Sequence, residues 1–173
     1  MAKKINMDAN YKTKLNSIKC FVFDVDGVLT NGNLLVTTEG KLLRTMNIKD
    51  GYAMQLAIKK GYKIAIISGG NDEGVPLRLK KLGVEEVHMG VSNKLQTLIT
   101  VINHHRLKKE EVLYLGDDMP DLESMKHVGL ACCPYDAVHQ IREVCDYISP
   151  IKGGDGCARD VIEQVLKLHK VWE

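Results

Sequence analysis

The chain has 173 residues, of which 45% are hydrophobic and 27% are charged. This composition predicts a folded globular protein rather than a disordered one, and the length predicts a single domain. A formal net charge of +2 and an aromatic content of only 5% do not favour nucleic acid or an anionic membrane as the main partner.

The first residues and the cysteines indicate a cytoplasmic protein. Residues 1–17 are polar and rich in lysine, so we expect a loose arm or a short helix ahead of one domain over residues 18–173. The longest apolar run, at residues 64–67, is too short to cross a membrane, and the first eight residues contain no apolar signal core. Five cysteines without a Cys-x-x-Cys pair favour free thiols in a reducing compartment.

Short apolar runs predict buried strands along the chain. The first run, at residues 20–24, ends in an acid, and two runs around a polar turn at 37–40 predict a β-hairpin over residues 33–47. Later strands are predicted at residues 63–67, 86–89, 112–115, 128–131 and 147–148.

Amphipathic stretches between these runs predict helices. Asp50 is the predicted N-cap of a helix over about 51–60, and Pro76 fits the first turn of a helix across 77–82. Further helices are predicted at residues 93–104, 120–126, 137–144 and 158–169. The alternation predicts the α/β class: a three-layer, Rossmann-like parallel sheet with helices on both faces and a protruding hairpin.

Polar residues gather where the predicted strands end. Ligands of such sheets bind beyond the carboxyl ends of the strands, so these residues should converge on one edge. The set comprises Asp24, Asp26, Ser68, Gly69, Gly70, Lys94, Asp117, Asp118 and Asp121. Several carboxylates at one place repel each other, and their oxygens are ligands that suit Mg²⁺.

This set suits the hydrolysis of a phosphate ester. Mg²⁺ and Lys94 would neutralise the charge of a phosphoryl group, while Ser68 and two glycine N–H groups would hold its oxygens. Asp24 is the candidate nucleophile that forms an aspartyl-phosphate. Asp26 is the candidate acid that protonates the leaving oxygen and the base that later activates water.

Four ordered motifs resemble those of the haloacid-dehalogenase-superfamily phosphatases over about residues 18–165. The motifs are Asp24-Val25-Asp26-Gly27-Val28, Ser68-Gly69-Gly70, Lys94 and Gly116-Asp117-Asp118-Met119-Pro120-Asp121. The resemblance implies Mg²⁺ ligands from Asp24, Asp117 and the backbone carbonyl of Asp26, with supporting roles for Asp118 and Asp121. Residues 27–67 and 69–93 leave no room for the cap domain that many relatives fold over the site.

Four further stretches resemble the capless subfamily that removes the 8- and 9-phosphates of 3-deoxy sugar acids. They lie at residues 26–32, 50–52, 92–95 and 152–159. The resemblance implies a homotetramer built through the hairpin, in which a neighbouring subunit completes each active site. It implies substrate contacts from Thr30, Ser68, Gly69, Gly70, Arg78, Asn93 and Arg159, and Lys81 could share the helix face of Arg78.

The substrate and the class of function have alternatives. Relatives that act on nonulosonate 9-phosphates resemble one another in carrying a glutamate at the position of Gly70, so the glycine favours an octulosonate 8-phosphate. A nonulosonate 9-phosphatase, acting on a sialic-acid-type sugar or its deaminated analogue, is the alternative enzyme. A non-catalytic receiver domain that is phosphorylated on aspartate is the alternative of another class, and Asp26 argues against it because a phosphate acceptor needs no second acid.

Several of these residues also have plain structural interpretations. Arg78 could lie on a solvated helix face, Arg159 could form a local salt bridge, and Asp121 could cap a helix. Gly153, Gly154 and Gly156 could form an ordinary turn. The pair His104-His105 is predicted to be on the surface, because adjacent residues of a helix point apart.

Overall fold

The computed structural model describes residues 11–172 and has the predicted three-layer α/β architecture. The strands are Cys20–Phe23 (β1), Leu35–Val36 (β2), Leu42–Leu43 (β3), Lys63–Ile67 (β4), Glu86–His88 (β5), Val112–Leu115 (β6), Leu130–Cys133 (β7) and Tyr147–Ile148 (β8). The helices are Tyr11–Leu15 (α1), Ile48–Lys59 (α2), Gly74–Lys81 (α3), Lys94–His104 (α4), Leu122–His127 (α5), His139–Val144 (α6) and Cys157–Leu168 (α7).

Six strands form one parallel sheet in the order β5-β4-β1-β6-β7-β8. β1 lies at its centre, and side chains of successive β1 residues point to opposite faces. Phe21 and Phe23 pack with α2, α3 and α7, whereas Cys20 and Val22 pack with α4, α5 and α6. Both faces of the sheet are therefore covered, as the continuous apolar strands require.

Several boundaries differ from the sequence prediction, and the starts of α2 and β7 are two of them. The N-cap of α2 is Asn47, whose side chain accepts a hydrogen bond from the Lys49 N–H at 2.9 Å, so the helix begins before the predicted cap. Asp50 instead lies buried and accepts a hydrogen bond from the Arg159 N–H at 2.6 Å. β7 begins at Leu130 rather than at 128, and the Gly129 N–H donates to the Lys109 carbonyl at 2.7 Å instead of to a neighbouring strand.

The hairpin β2-β3 is a separate two-stranded sheet with an exposed apolar surface. Leu35 and Val36 are 66% and 65% exposed, and Leu34, Leu42 and Leu43 are also exposed. The described chain between β1 and β4 forms a helical turn at Val25–Leu29, this hairpin and α2, and the chain between β4 and β5 forms α3. Neither connection contains a cap domain.

The first ten residues of the predicted arm lie outside the described residues. The next residues form α1, in which Leu15 is buried and Tyr11 stacks on Tyr147 with 4.6 Å between ring centroids. Within residues 11–172, none of the helices combines the length and the apolar character that a membrane span requires.

Candidate active site

The carboxyl ends of β4, β1 and β6 meet at a cavity of about 320 Å³. Asp24 follows β1, Ser68 follows β4, and Asp117 lies two residues beyond β6, while Lys94 is the first residue of α4. The cavity is lined by Asp24, Asp26, Gly27, Gly32, Ser68, Gly69, Gly70, Lys94, Asp117, Asp118 and Pro120. The topology thus brings together most of the residues that the sequence predicted to converge.

Lys94 is buried and lies between two carboxylates. Its Nζ lies 3.0 Å from Asp24 Oδ1 and 2.7 Å from Asp121 Oδ1. Burial opposes the charge of the ammonium, but the two carboxylates outweigh it and raise the pKa of Lys94. Lys94 therefore carries its positive charge at neutral pH.

Asp121 is fully buried and supports its neighbours. Its Oδ1 accepts a hydrogen bond from the Tyr114 hydroxyl at 2.8 Å, and its Oδ2 accepts one from the Asp117 N–H at 3.2 Å. With the Lys94 contact, both oxygens have partners inside the chain. The sequence left metal contact and capping open for Asp121, and in this structure its hydrogen bonds fix the Asp117 backbone and Lys94.

The carboxylates of Asp24, Asp117 and Asp121 each present an oxygen within 4.8 Å of the others. Burial and then the charge of Asp121 raise the pKa of Asp24 to about 6, although Lys94 opposes this. Burial and the charges of Asp24 and Asp121 raise the pKa of Asp117 to about 8. Within residues 11–172, the buried Asp117 Oδ1 has no hydrogen-bond partner. One ammonium does not compensate three carboxylates, so the cluster is suited to a bound hard cation.

Arg44 is a site residue that the sequence reasoning missed. It follows β3 at the base of the hairpin, and its Nε and Nη2 lie 2.7 Å and 3.0 Å from the two oxygens of Asp26. Its Nη1 lies 3.1 Å from Asp72 Oδ2. Because a planar guanidinium that binds both oxygens fixes a carboxylate in orientation, Arg44 holds Asp26 in place. The sequence shows a charged residue directly after the apolar pair Leu42-Leu43, but no sequence pattern indicates that this residue pairs with Asp26.

Ser68 and the two glycines after it form the wall of the cavity beside Asp26. The Gly70 N–H donates to Ser68 Oγ at 3.1 Å. A Cβ on Gly70 would lie 3.1 Å from Asp26 Oδ2 and 3.3 Å from Arg44 Nη2. The space that a side chain at position 70 would enter is therefore taken by the Arg44–Asp26 pair.

Thr30 contacts Asp26 within the loop that follows β1. It is fully buried, and its Oγ1 accepts hydrogen bonds from the Gly27 N–H at 3.4 Å and the Gly32 N–H at 3.2 Å and donates one to Asp26 Oδ1 at 3.4 Å. These contacts shape the loop around a candidate catalytic residue, and the contact of Thr30 with a substrate stays a prediction.

The remaining predicted substrate residues lie outside the cavity. Arg78 lines a neighbouring cavity of about 440 Å³ beside the hairpin, together with Arg44, and Lys81 is exposed at the end of α3. Asn93 caps α4 by accepting a hydrogen bond from the Gln96 N–H at 3.0 Å. Arg159 lies in a cavity of about 490 Å³ near α7, where it forms the local salt bridge to Glu163 at 3.0 Å.

The glycines before α7 pack against the loop that follows Asp24. A Cβ on Gly153 would lie 1.9 Å from the Gly27 carbonyl oxygen, and the Gly154 N–H donates to the Val28 carbonyl at 2.9 Å. The Gly153 N–H also donates to Asp136 Oδ1 at 2.9 Å. These residues thus do more than form a turn, because only a segment without side chains can approach the loop so closely.

Comparisons with known proteins agree with this geometry. Residues 86–160 match the family model of the haloacid dehalogenase-like hydrolases. A 3-deoxy-D-manno-octulosonate 8-phosphate phosphatase of Salmonella typhi is 34% identical over 154 residues, which are 89% of this chain and 82% of that protein.

Two solved structures are also similar. The phosphatase of this name from Yersinia pestis has a TM-score of 0.92 at 29% identity, covering 94% of this chain and 88% of that one. The enzyme from Moraxella catarrhalis, in complex with magnesium, phosphate and KDO, has a TM-score of 0.87 at 33% identity, covering 90% of each chain.

Proposed function

The chain belongs to the 3-deoxy-D-manno-octulosonate 8-phosphate phosphatases of the haloacid dehalogenase-like hydrolases, and we propose from this membership how its residues carry out the reaction. It is a phosphoric monoester hydrolase whose product is KDO, the free sugar acid. The observation that carries the mechanism is the group of Asp24, Lys94 and Asp117 at the ends of β1 and β6 and the start of α4.

Mg²⁺ is the cofactor, and the cluster of carboxylates fits it. The partnerless Asp117 Oδ1 and the raised pKa values of Asp24 and Asp117 are what carboxylates show when a cation is needed to compensate them. Asp24, Asp117 and the backbone carbonyl of Asp26 would hold the ion, with Asp118 and Asp121 in support. When bound, the ion supplies positive charge that stabilises the phosphoryl group in the transition state.

The covalent step belongs to Asp24. Its carboxylate oxygen forms a bond to phosphorus while the bond from phosphorus to the sugar oxygen breaks, and Asp26 gives that oxygen a proton. Asp26 then takes a proton from water, the water oxygen bonds to phosphorus, and the bond to Asp24 breaks. The products are the sugar acid and inorganic phosphate, and both aspartates return to their starting state.

The remaining groups around the cavity hold the phosphoryl oxygens. Lys94 provides a fixed positive charge next to Asp24, and the Ser68 hydroxyl and the Gly69 N–H line the same cavity as donors, while the Gly70 N–H donates to Ser68 Oγ. Arg44 holds Asp26 as a carboxylate beside the cavity, and one of its two contacts has to open before Asp26 carries the proton that it gives to the leaving oxygen.

The absence of a side chain at Gly70, beside the Arg44–Asp26 pair, supports the octulosonate as the substrate. A glutamate at this position would enter the space beside Arg44 and Asp26, whose nearest atoms lie 3.3 Å and 3.1 Å from the site of a Cβ, so these side chains would have to shift. We place the sugar carboxylate toward Arg78 and Lys81, beyond the hairpin end of the cavity. Comparison of kcat/KM for an octulosonate 8-phosphate and a nonulosonate 9-phosphate tests this, and a preference for the larger sugar would refute it.

We propose that the active form is a homotetramer in the cytoplasm. The exposed apolar side chains of the hairpin, Leu35 and Val36 above all, support a docking surface for a second copy. The open cavity supports the idea that a neighbour, through residues such as Arg159, completes the site. Five free cysteines support a reducing compartment. Light scattering of active enzyme tests the assembly, and a mass of one chain, 19.3 kDa, would refute it.

Replacement of the nucleophile tests the mechanism. Asp24→Asn should lower kcat for phosphate release by at least about 10³-fold, because an amide oxygen does not form the covalent intermediate. Glu123→Gln is the matched control, since Glu123 is an exposed acid that pairs only with Lys126 at 2.8 Å among the contacts described. Full turnover by Asp24→Asn would refute the covalent route.

A further inference from the structure

A second cluster of metal-ligating side chains lies away from the active site. Glu86 is the first residue of β5, His104 is the last residue of α4, and His105 follows it. Each offers a ligand atom, and these atoms lie within 4.8 Å of one another. α4 begins at Lys94, so His104 is about 15 Å along the helix from the catalytic cavity.

The two histidines lie side by side at the end of α4, although the sequence predicted that these adjacent residues of a helix point apart. The His105 N–H still donates to the Val101 carbonyl at 3.1 Å. Arg106, with a φ of 54° in the left-handed region, is the residue at which the chain leaves the helix. The two rings are nearly perpendicular, at 81°, with 4.8 Å between their centroids.

The distances suit a tetrahedral metal ion. Zinc binds histidine nitrogen and carboxylate oxygen at about 2.1 Å, which places neighbouring ligand atoms about 3.4 Å apart. His105 Nε2 lies 3.2 Å from Glu86 Oε2, close to this spacing. His104 is exposed, so its ring can turn toward the other two ligands without disturbing the core.

Neighbouring groups orient the Glu86 carboxylate and favour a cation beside it. His88 Nε2 lies 2.9 Å from the other oxygen of Glu86 and fixes its orientation, as outer partners of metal ligands commonly do. The carbonyl groups at the end of α4 carry partial negative charge, which favours a cation here. Glu85 and Lys63 line the same cavity of about 270 Å³, and their charges oppose each other.

We propose that Glu86, His104 and His105 bind a divalent transition-metal ion, with zinc as the favoured ion. Two imidazoles and one carboxylate are a typical zinc ligand set and leave one position for water. Mg²⁺ would not compete, because it prefers oxygen ligands. The ion would link the end of α4 to the start of β5, and so would stabilise the folded chain independently of the phosphatase reaction.

Zinc titration of the tag-free full chain in saturating Mg²⁺ tests the proposal. Calorimetry should show one zinc ion per chain beyond the Mg²⁺, and zinc should raise the melting temperature. Cobalt should give the visible absorption of a tetrahedral site with nitrogen ligands. We expect the double variant His104→Gln/His105→Gln to bind zinc more than about 100-fold more weakly, since even outer partners cost about 10–100-fold.

Two further variants keep the result interpretable. His104→Gln alone changes an exposed side chain, so it should fold normally, keep its Mg²⁺-dependent activity and still lose most of the zinc affinity. His139→Gln is the control, because His139 forms an exposed pair with Glu143 at 3.3 Å. Absence of zinc binding by the unmodified chain would overturn the proposal. Equal zinc affinity in the double variant would also overturn it, because the ion would then lie among the catalytic carboxylates.

Discussion

Asp117→Asn should make the metal-free protein more stable while abolishing its function. In the folded state the pKa of Asp117 is raised to about 8, first by burial and then by the charges of Asp24 and Asp121, whereas the ordinary value is 3.8. The folded chain therefore binds this proton more tightly than the unfolded chain. The contribution of Asp117 to the free energy of unfolding therefore falls as the pH rises from about 4 to about 8.

The size of the effect follows from the same values. A pH of 7 lies about three pH units above the ordinary pKa of an aspartate, and each unit corresponds to about 1.4 kcal/mol. Asp117 therefore destabilises the metal-free fold by up to about 4 kcal/mol at pH 7. An asparagine removes this destabilisation because it carries no charge. We expect the variant to match the unmodified protein near pH 4 and to exceed it increasingly toward pH 8.

Urea denaturation across this pH range, in chelator and then in Mg²⁺, measures the prediction. Mg²⁺ should stabilise the unmodified protein more strongly at pH 8 than at pH 5, since the ion competes with the proton on Asp117. It should have little effect on the variant. Glu123→Gln serves again as the control. A stability difference that does not change between pH 4 and pH 8, or a variant that is less stable at pH 8, would refute the reasoning.

Three other substitutions test separate parts of the site. Lys94→Met leaves two buried carboxylates unpaired, so the free energy of unfolding should fall by about 3–5 kcal/mol and activity should be lost, as urea denaturation and phosphate release would show. Arg44→Met frees the carboxylate of Asp26, and steady-state kinetics should show kcat reduced by about 10²-fold with unchanged Mg²⁺ affinity. Gly153→Ala places a methyl group 1.9 Å from the Gly27 carbonyl oxygen, so both the melting temperature and kcat should fall, and unchanged values would contradict the close approach.

The sheet and its active edge could be predicted because their signals are local. Each strand of the parallel sheet is a short apolar run, and the acids that follow β1 and β6 needed only the rule that carboxyl ends share an edge. Asp24, Lys94 and Asp117 were found in this way. Burial of apolar strands on both faces leaves few other ways to arrange these segments.

The features that were missed depend on contacts between distant parts of the chain. Arg44 reaches Asp26 across 18 residues because the hairpin folds back over the cavity, and no periodicity records that direction. Thr30 lies inside the motif loop, where sequence does not distinguish a side chain that faces the ligand from one that holds the loop. The approach of His104 and His105 to Glu86 depends on how α4 packs beside β5, which no local pattern in the sequence records.

The packing of Gly153 and Gly154 against the loop after Asp24 has a consequence for how the enzyme is made. The nucleophile is synthesised early, but its loop is held by a segment that the ribosome adds some 130 residues later. During translation, a chain that already contains every catalytic aspartate still lacks the support that fixes Asp24 and Asp26 in place. We therefore expect activity to arise only after residues 153–154 have emerged and packed against this loop.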